Sequence, residues 1–229
     1  MNGKVLKWIA IITMTFDHIG FYLVPEGPLY LILRSIGRIA YPLFAFMIAE
    51  GFHKTSHLSR YWMRLAVAAL VIELGLLGFY FIEGTSYLLT TNVFIPLVIG
   101  LSILILLKQQ KWYLKLLIIP LLILPELLHT SYGIYGIMII LIFGLISHRV
   151  EQISTFILLS IFFIDWPVLL WIGLGEYARY MYIQWFSLLS FIPLFLYNGT
   201  RGTYNKWFFY IYYPAHLLVL FIIQFFMTR

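Results

Sequence analysis

Residues 7–24 read KWIAIITMTFDHIGFYLV, an apolar run that is interrupted in its middle by Asp17 and His18. At ~1.5 Å per residue, this run and the residues before it are long enough to cross a hydrocarbon core ~30 Å thick. It lacks the small-residue cleavage site of a secretory signal peptide, so we expect a retained first helix. An ionisable side chain near the bilayer centre costs at least about 2.5 kcal/mol, so Asp17 and His18 each require a partner or a function.

The composition of the chain leads to the same interpretation. Of 229 residues, 62% are hydrophobic and only 10% are charged, and the mean hydropathy is +0.94. A soluble domain carries about a quarter charged residues, so the chain is predicted to be an integral membrane protein. It has no Cys, which excludes disulfides, thiolate metal sites and a cysteine nucleophile. Cytoplasmic loop charge and an anionic ligand explain the net charge of +6 better than nucleic acid does.

The apolar stretches predict an all-α fold, a polytopic bundle of about nine transmembrane helices, with eight to ten compatible with the pattern. No linker or repeat interrupts the chain, so residues 1–229 are predicted to form one integral-membrane domain. After the first helix, which ends near Val24, the predicted spans lie at residues 29–52, 61–82, 88–107, 112–129, 133–149, 153–172, 179–197 and 208–227.

Prolines inside these runs predict bent helices, because each proline removes one backbone donor. The freed carbonyl groups must be satisfied by packing or by water in a cavity, so the interior is not expected to be a plain bundle. The prolines concerned are Pro42, Pro96, Pro120, Pro193 and Pro214.

The distribution of charge between the turns predicts the orientation. Nine alternating spans bring one set of basic residues to the side of the N-terminus: Lys4, Lys7, Lys54, Arg60, Lys108, Lys111, Lys115, Arg149, Arg201 and Lys206. The opposite turns contain acidic residues and neither Lys nor Arg: Glu26, Glu83, Glu126 and Glu176. By the positive-inside rule the N-terminus is cytoplasmic, and the chain is a multi-pass protein of the cell membrane.

Several ionisable residues fall at one predicted depth, near the bilayer centre. They are Asp17, His18, Arg38, Glu73 and His216. Structural ion pairs such as Asp17 with Arg38 are one explanation of this band, and a reaction site is the other.

His18 is the strongest candidate for chemistry in this band. Adjacent helical residues point about 100° apart, so Asp17 is expected to engage a neighbouring helix while His18 faces the interior. A neutral imidazole there is a natural general base for a hydroxyl or amine. His216 is a second candidate of the same kind.

A cationic cluster is predicted at the cytoplasmic rim, where residues 51–57 read GFHKTSH and residues 60–64 read RYWMR. Arg60 and Arg64 are four apart and share one helical face. Ordinary positive-inside charge explains Lys54, whereas Arg64, one turn inside the span, fits recognition of a polyphosphate ligand from the cytoplasm. No Walker A sequence is present, so nucleotide hydrolysis is not predicted.

The same residues carry a family resemblance. The chain resembles the TraX family, named for the protein that acetylates the N-terminus of F-pilin, over nearly its whole length. One departure is Ser131, where family members tend to carry an acidic residue before YGIYG. The resemblance rests on ITMTFDHIG (12–20), RSIGRIAYPLFAFMIAEGFHKT (34–55), RYWMRL (60–65), NVFIPLVIGL (92–101), YGIYGIMII (132–140), YNGTRG (197–202) and WFFYIYYPAHLL (207–218).

The resemblance implies a transmembrane acyltransferase with cytoplasmic acetyl-CoA as co-substrate, a central reaction chamber and an acceptor approaching from outside. The wider acyltransferase group shares a basic residue followed after ten positions by His, as in Lys7 and His18. Arg60 and Arg64 are similar to the paired arginines with which that group opens its third helix. No metal is implied.

We therefore predict an acetyltransferase in which His18 deprotonates the acceptor for direct attack on the thioester, with an acetyl-imidazole route left open. The CoA phosphates are expected on Lys54, Arg60 and Arg64, and Lys7 and Arg201 are further candidates for binding this co-substrate at the cytoplasmic side. The candidates for polarising the thioester oxygen are Arg38, Asn92 and Tyr213.

Two other classes are left open. A proton-coupled small-molecule transporter would use the same buried Asp, His, Arg and Glu residues, although no inverted repeat is seen. A membrane scaffold would explain the aromatic residues but not the buried His18. The expected partners are acetyl-CoA, membrane lipids and an acceptor that is a pilin-like peptide, a sugar or a lipid-linked group; a homodimer is left open, and nucleic acid is not expected.

Overall fold

The computed structural model describes residues 1–83, 92–128, 130–165, 182–203 and 206–227. The described residues contain no strand, and all of their regular secondary structure is helical. This confirms the all-α prediction, while the membrane topology and the cytoplasmic N-terminus stay predictions. Parts of the predicted spans at 88–107, 112–129, 153–172 and 179–197 lie outside the described residues. So do residues 84–87 of the predicted acidic turn at 83–87 and the whole predicted turn at 173–178.

The helices are close to the predicted spans. The α-helices are α1 (Gly3–Leu23), α2 (Pro28–Gly37), α3 (Ala40–Lys54), α4 (Leu58–Glu83), α5 (Phe94–Leu107), α6 (Trp112–Lys115), α7 (Ile118–Leu127), α8 (Gly133–Leu145), α9 (Arg149–Ser160), α10 (Phe191–Phe195) and α11 (Lys206–Met227). A π-helical turn, Ile161–Asp165, follows α9, and a 3₁₀ helix, Gln184–Ser190, leads directly into α10.

Five prolines are predicted to bend helices, and two of them coincide with a break between helices four residues earlier. A proline cannot donate to the carbonyl four residues earlier. Pro42 cannot donate to the Arg38 carbonyl, and α2 ends at this point and is joined to α3 by a tight turn in which Ile39 N–H donates to Ile36 O. Pro120 frees Leu116, between α6 and α7.

The other three prolines have different outcomes. Pro193 cannot donate to the Leu189 carbonyl, which lies near the end of the 3₁₀ helix. Pro96 lies in the first turn of α5, where a proline removes no helical hydrogen bond. Pro214 lies inside α11, which continues through it.

The described residues group into two compact units. The first unit comprises residues 1–44 and 149–229, and the second comprises residues 45–148. In the first unit α1 packs along α2 and along α11, and the Trp8 and Phe208 rings lie 5.3 Å apart. In the second unit α5 packs against α4, α7 and α8. The prediction of one domain over residues 1–229 stays a prediction.

The start of α1 is held in place within the first unit. Asn2 caps the helix, because its Oδ1 accepts a hydrogen bond from Val5 N–H at 3.1 Å. Gly3 N–H donates to Thr200 O at 2.7 Å, and Asn198 N–H donates to Met1 O at 2.9 Å. The loop after α10 therefore lies beside the first turn of α1.

Two helical segments among the described residues are long and apolar enough to cross a bilayer, Pro28–Lys54 and Leu58–Phe79. Four shorter apolar segments accompany them, Phe94–Leu107, Gly133–Leu145, Gln184–Phe195 and Ile211–Met227. Many large apolar side chains on these helices point outward, among them Met63, Val67, Leu70, Leu74, Ile192 and Phe195. Such an exposed apolar surface suits lipid and not water, so the fold indicates a membrane protein.

Candidate functional site

A pair of histidines lies inside the first unit, where α1 packs against α11. His18 Nδ1 and His216 Nε2 are 2.7 Å apart. The two rings are nearly parallel, at 9°, with centroids separated by 5.0 Å. These values fit two coplanar rings that meet edge to edge through their nitrogens, because face-to-face stacking would not bring the nitrogens into line. The pair is therefore joined by an in-plane hydrogen bond.

Hydrogen bonding fixes the tautomer of each ring when both are neutral. His216 Nδ1 is 2.9 Å from the Tyr212 carbonyl oxygen, which can only accept, so Nδ1 carries the proton of His216. His216 Nε2 then has a lone pair and must accept from His18 Nδ1–H. It follows that the lone pair of His18 lies on Nε2, the side of the ring away from His216.

Aromatic rings surround the histidine pair. Tyr213 is 3% exposed, and its ring lies edge-on to both imidazoles, at centroid distances of 6.0 Å from His18 and 5.3 Å from His216. Tyr212 lies parallel to His216 at 5.1 Å. Its hydroxyl is 2.8 Å from Thr15 Oγ1, which ties α11 to α1 beside the pair. These contacts fix the orientation of both rings.

Asp17 points away from His18 and toward α2. Its carboxylate accepts from Arg34 Nη1 at 2.7 Å and also pairs with Arg38 Nη2. The close approach of α1 to α2 requires Gly37, because a Cβ at that position would run into the Asp17 side chain. The expected pairing of Asp17 with Arg38 is present, and Asp17 does engage a neighbouring helix.

Arg34 was not among the predicted site residues, although it lies four positions before Arg38 and shares its helical face. It also lies over the Phe21 ring at 5.1 Å. Arg34 and Arg38 thus share the carboxylate of Asp17, which is next to His18 in sequence. A guanidinium group in such a position can stabilise an oxyanion.

The basic end of the first unit includes Lys7 and Arg201. Lys7 and His18 are eleven residues apart on the continuous α1, which puts them nearly on one face and ~16 Å apart along the axis. Arg201 follows Thr200, which accepts from Gly3 N–H. Both basic residues therefore lie toward the N-terminal end of α1, and His18 lies several turns further along it.

Glu73 and Asn92, both predicted candidates, contact each other in the second unit. Asn92 is fully buried, and its amide nitrogen donates to Glu73 Oε2 at 2.8 Å and to Ala69 O at 2.9 Å. Its Oδ1 accepts from Phe94 N–H at 3.1 Å, at the start of α5. Both N–H groups of the Asn92 amide are therefore used in joining α4 to α5, so Asn92 has a structural explanation.

The cationic end of the second unit is built from His53, Lys54, His57, Arg60, Arg64 and Lys108. Lys54 pairs with Glu50 at 2.9 Å. His53 Nε2 is 2.9 Å from Gly144 O, and Lys108 Nζ lies 4.0 Å from the centroid of the Phe52 ring. These contacts bring the ends of α3, α5 and α8 together beside the start of α4. The sequence placed Lys108 only among the basic residues on the side of the N-terminus.

Arg60 and Arg64 both lie on α4 at this end, but their environments differ. Arg60 is exposed, whereas Arg64 is partly buried and its Nε is buried with no hydrogen-bond partner. A guanidinium nitrogen in that position costs free energy unless a ligand or water satisfies it. This is the behaviour expected of a residue that binds an anion.

A carboxylate lies at the start of the YGIYG motif although the sequence has Ser131 before it. Glu126 Oε1 accepts from Ile134 N–H at 2.8 Å. Gly133 at this point has φ +48°, and a Cβ there would run into Glu126 Oε1. An acidic group eight residues before Ile134 therefore caps α8, which is a stabilising position for negative charge.

The described residues hold no group of three or more His, Asp or Glu side chains that could bind a metal ion. The expectation that no metal takes part stays a prediction.

Comparisons with known proteins agree with the motifs quoted above. A family model described as TraX protein matches residues 2–224. The chain is 27% identical to the probable fimbrial assembly protein FimC, serogroup H1, of Dichelobacter nodosus, over 94% of this chain and 92% of that protein. It is 34% identical to an uncharacterized protein of Rickettsia prowazekii over 42% of this chain, a match that spans only 34% of the Rickettsia protein. No solved structure matches the chain.

Proposed function

Because this chain belongs to the TraX family, we propose that it is a membrane-embedded transferase that moves an acetyl group from acetyl-CoA to a hydroxyl or amine acceptor. The link of the family to pilin acetylation fits a role in pilin processing, and so does the fimbrial-assembly name of the Dichelobacter relative. A pilin-like peptide is therefore the first acceptor to test. A sugar and a lipid-linked group are the alternatives.

The histidine pair is the observation that carries this proposal. With its lone pair on Nε2, His18 is able to take a proton from an acceptor O–H or N–H. The acceptor attacks the thioester carbonyl, the C–S bond breaks, and the CoA thiolate leaves. The proton passes from His18 to that thiolate, so the base is restored. Meanwhile the imidazolium of His18 is stabilised by His216 Nε2, which accepts its Nδ1–H at 2.7 Å.

The cations of the first unit supply electrostatic support. Arg34 and Arg38 share Asp17, and their guanidinium groups stabilise the negative charge that develops on the thioester oxygen. Tyr213, in edge contact with both imidazoles, is the other candidate donor. Asn92 is the weakest of the three predicted polarising residues, because its two N–H groups are already engaged.

The phosphates of CoA need basic residues, and each unit offers a group. In the first unit these are Lys7 and Arg201, at the N-terminal end of α1. In the second unit they are Lys54, Arg60 and Arg64, of which Arg64 has an unsatisfied Nε. Arginine is suited to phosphate because its planar fork forms two charge-assisted hydrogen bonds at once.

The test is acetyl transfer by the purified protein in detergent. Acetyl-CoA labelled in its acetyl group is offered with a pilin-like peptide, a sugar or a lipid-linked glycan, and labelled product and released CoA are both measured. The proposal expects product from at least one acceptor, with rates that depend on both substrates together. Parallel lines in double-reciprocal plots would instead indicate the acetyl-imidazole route.

A proton-coupled transporter is the second candidate, because a hydrogen-bonded histidine pair beside an Asp–Arg group is also a route for protons. Proteoliposomes separate the two. Acidification driven by a solute gradient, with no release of CoA in the presence of any acceptor, would contradict the transferase and support the transporter.

A further inference from the structure

The 3₁₀ helix Gln184–Ser190 carries three polar side chains at positions 184, 187 and 190. A 3₁₀ helix has three residues per turn, so side chains three apart lie directly above one another. Gln184, Ser187 and Ser190 therefore form one row, ~12 Å long at ~2.0 Å per residue.

The row faces the interior of the first unit. Ser187 and Ser190 are both 0% exposed. The outward side of the same segment is apolar, with Phe186, Leu189, Ile192 and Phe195 all exposed. This arrangement is the reverse of a soluble amphipathic helix, in which the polar side faces out. The polar row is thus kept away from lipid and directed into the protein.

The polar atoms of the row are unsatisfied. Gln184 Nε2, Ser187 Oγ and Ser190 Oγ are buried and have no hydrogen-bond partner. Alanine at either serine position would avoid the free energy of burying an unpaired hydroxyl. Three such groups in one line call for a partner that extends along the row.

One end of the row lies near Arg38, and the chain beyond the other end lies beside the start of α1. At one end Gln184 Oε1 is 3.5 Å from Arg38 Nη1, and Arg38 pairs with Asp17, the neighbour of His18 in sequence. Beyond the other end, Asn198 N–H donates to Met1 O and Thr200 O accepts from Gly3 N–H. The row therefore runs from Arg38, which pairs with Asp17, toward the basic N-terminal end of α1.

We propose that Gln184, Ser187 and Ser190 bind the extended amide-bearing pantetheine arm of the acyl donor. This inference rests on the proposed function. An arm with two amides and a hydroxyl has donors and acceptors spaced along its length, which suits a row of hydroxyls and a carboxamide. The row orients the arm so that its thioester end lies toward Arg38 and Asp17 and its other end toward the N-terminal end of α1.

The experiment compares two probes on the full-length protein in detergent. Acetyl-CoA contains the arm, and adenosine 3′,5′-bisphosphate is the nucleotide part of CoA without it. In the Ser187→Ala/Ser190→Ala double variant we expect acetyl-CoA affinity to fall roughly 25-fold, about fivefold for each neutral hydrogen bond. The affinity for adenosine 3′,5′-bisphosphate should stay at the wild-type value, and in transfer assays the donor KM should rise with kcat nearly unchanged.

Thermal unfolding of the ligand-free protein supplies the control. The double variant should unfold at the wild-type temperature or higher, because no protein hydrogen bond is lost. Ser102→Ala is the matched variant, since Ser102 Oγ accepts from Trp62 Nε1 at 2.7 Å. It should lower the unfolding temperature and leave the affinity for both probes unchanged.

The outcomes separate this inference from the proposed function. Equal affinity of the wild type and the double variant for acetyl-CoA would overturn the inference and leave the function standing. So would an equal loss for both probes, or a loss of stability with unchanged binding, which would mean that the row holds structural water. The proposed function itself would be refuted if the wild-type protein bound acetyl-CoA no better than an unrelated membrane protein of similar size.

Discussion

The two units differ in the polarity of their buried side chains. In the second unit α5 and α8 meet through glycines: a Cβ on Gly100 would lie 2.5 Å from Ile140 Cδ1, and one on Gly144 would lie 2.6 Å from Leu104 Cδ2. The surrounding residues, such as Ile103 and Ile137, are fully buried and apolar. In the first unit the buried residues include a carboxylate, a histidine and several hydroxyls. The second unit is therefore stabilised mainly by close packing, and the first holds a polar network.

This contrast separates the needs of stability from those of chemistry. Close helix packing through small residues is how helices associate in lipid, where apolar burial gives little driving force. A polar network in the same setting is costly unless every member is paired or serves a ligand. The first unit is thus the place to look for the acid–base chemistry, and the predictions below run from the largest expected effect to the smallest.

The largest effect is expected when Asp17 is changed. Asp17→Asn leaves Arg34 and Arg38 without their shared carboxylate inside the first unit, so the protein should lose about 3–5 kcal/mol of stability. The matched change in the second unit is Glu50→Gln, which breaks the exposed Lys54–Glu50 pair and should cost about 1 kcal/mol or less. Thermal unfolding in detergent, followed by Trp fluorescence, measures both. Equal losses would contradict the contrast between the units.

The second prediction tests which unit binds the CoA phosphates. Changing Arg60 and Arg64 together to Gln should weaken acetyl-CoA binding by about 1.5–3 kcal/mol for each charge-assisted contact, if the cationic end of the second unit is the phosphate site. The loss should shrink between 0.1 M and 1 M salt, as the Debye length falls from ~10 Å to ~3 Å. Arg201→Gln is the comparison in the first unit. Normal affinity in the double variant together with a loss in Arg201→Gln would move the phosphates to the first unit.

The third prediction concerns packing in the second unit. Gly100→Ala should destabilise the protein by about 1–3 kcal/mol, because the new methyl group would overlap Ile140. Gly78→Ala on α4 is the control, since nothing lies within 4 Å of a Cβ there, and it should be neutral or slightly stabilising. The change in unfolding temperature relative to the wild type should therefore be a clear decrease for Gly100→Ala and close to zero or an increase for Gly78→Ala. If both were neutral, the α5–α8 contact would be looser than described.

The smallest effect concerns His216 as a positioning residue. His216→Ala removes the acceptor for His18 Nδ1–H and should lower kcat about tenfold while the donor KM stays constant. His216→Gln offers a carbonyl oxygen on a side chain of similar length and should recover part of the loss. The pH profile of kcat should also change in His216→Ala, because His18 would lose the group that fixes its tautomer. A variant with the wild-type rate and profile would show that the pairing is only structural.

Much of the fold follows from local chemistry that the sequence displays. The apolar runs predict the helical segments, and Pro42 and Pro120 mark breaks four residues upstream, at Arg38 and Leu116. The pairing of Asp17 with Arg38 follows from charge at a common depth. These features depend on hydropathy and backbone donors, both of which can be assigned residue by residue.

The rest depends on contacts between distant residues or on local helix type. The partner of His18 is 198 residues away, and a shared depth does not specify which helices are neighbours. Arg34 was missed because one carboxylate suggests one partner. Ser187 and Ser190 form a row only because this segment is a 3₁₀ helix, since three residues in an α-helix turn through about 300° and not a full circle.

The most direct test of the account is the rate of acetyl transfer by His18→Ala at saturating acetyl-CoA. If His18 Nε2 takes the proton of the acceptor, kcat should fall at least about 10²-fold, while acetyl-CoA affinity and unfolding temperature stay close to those of the wild type. The exposed His148 provides the control, and His148→Ala should keep full activity. A wild-type rate in His18→Ala would contradict the assignment of His18 as the general base.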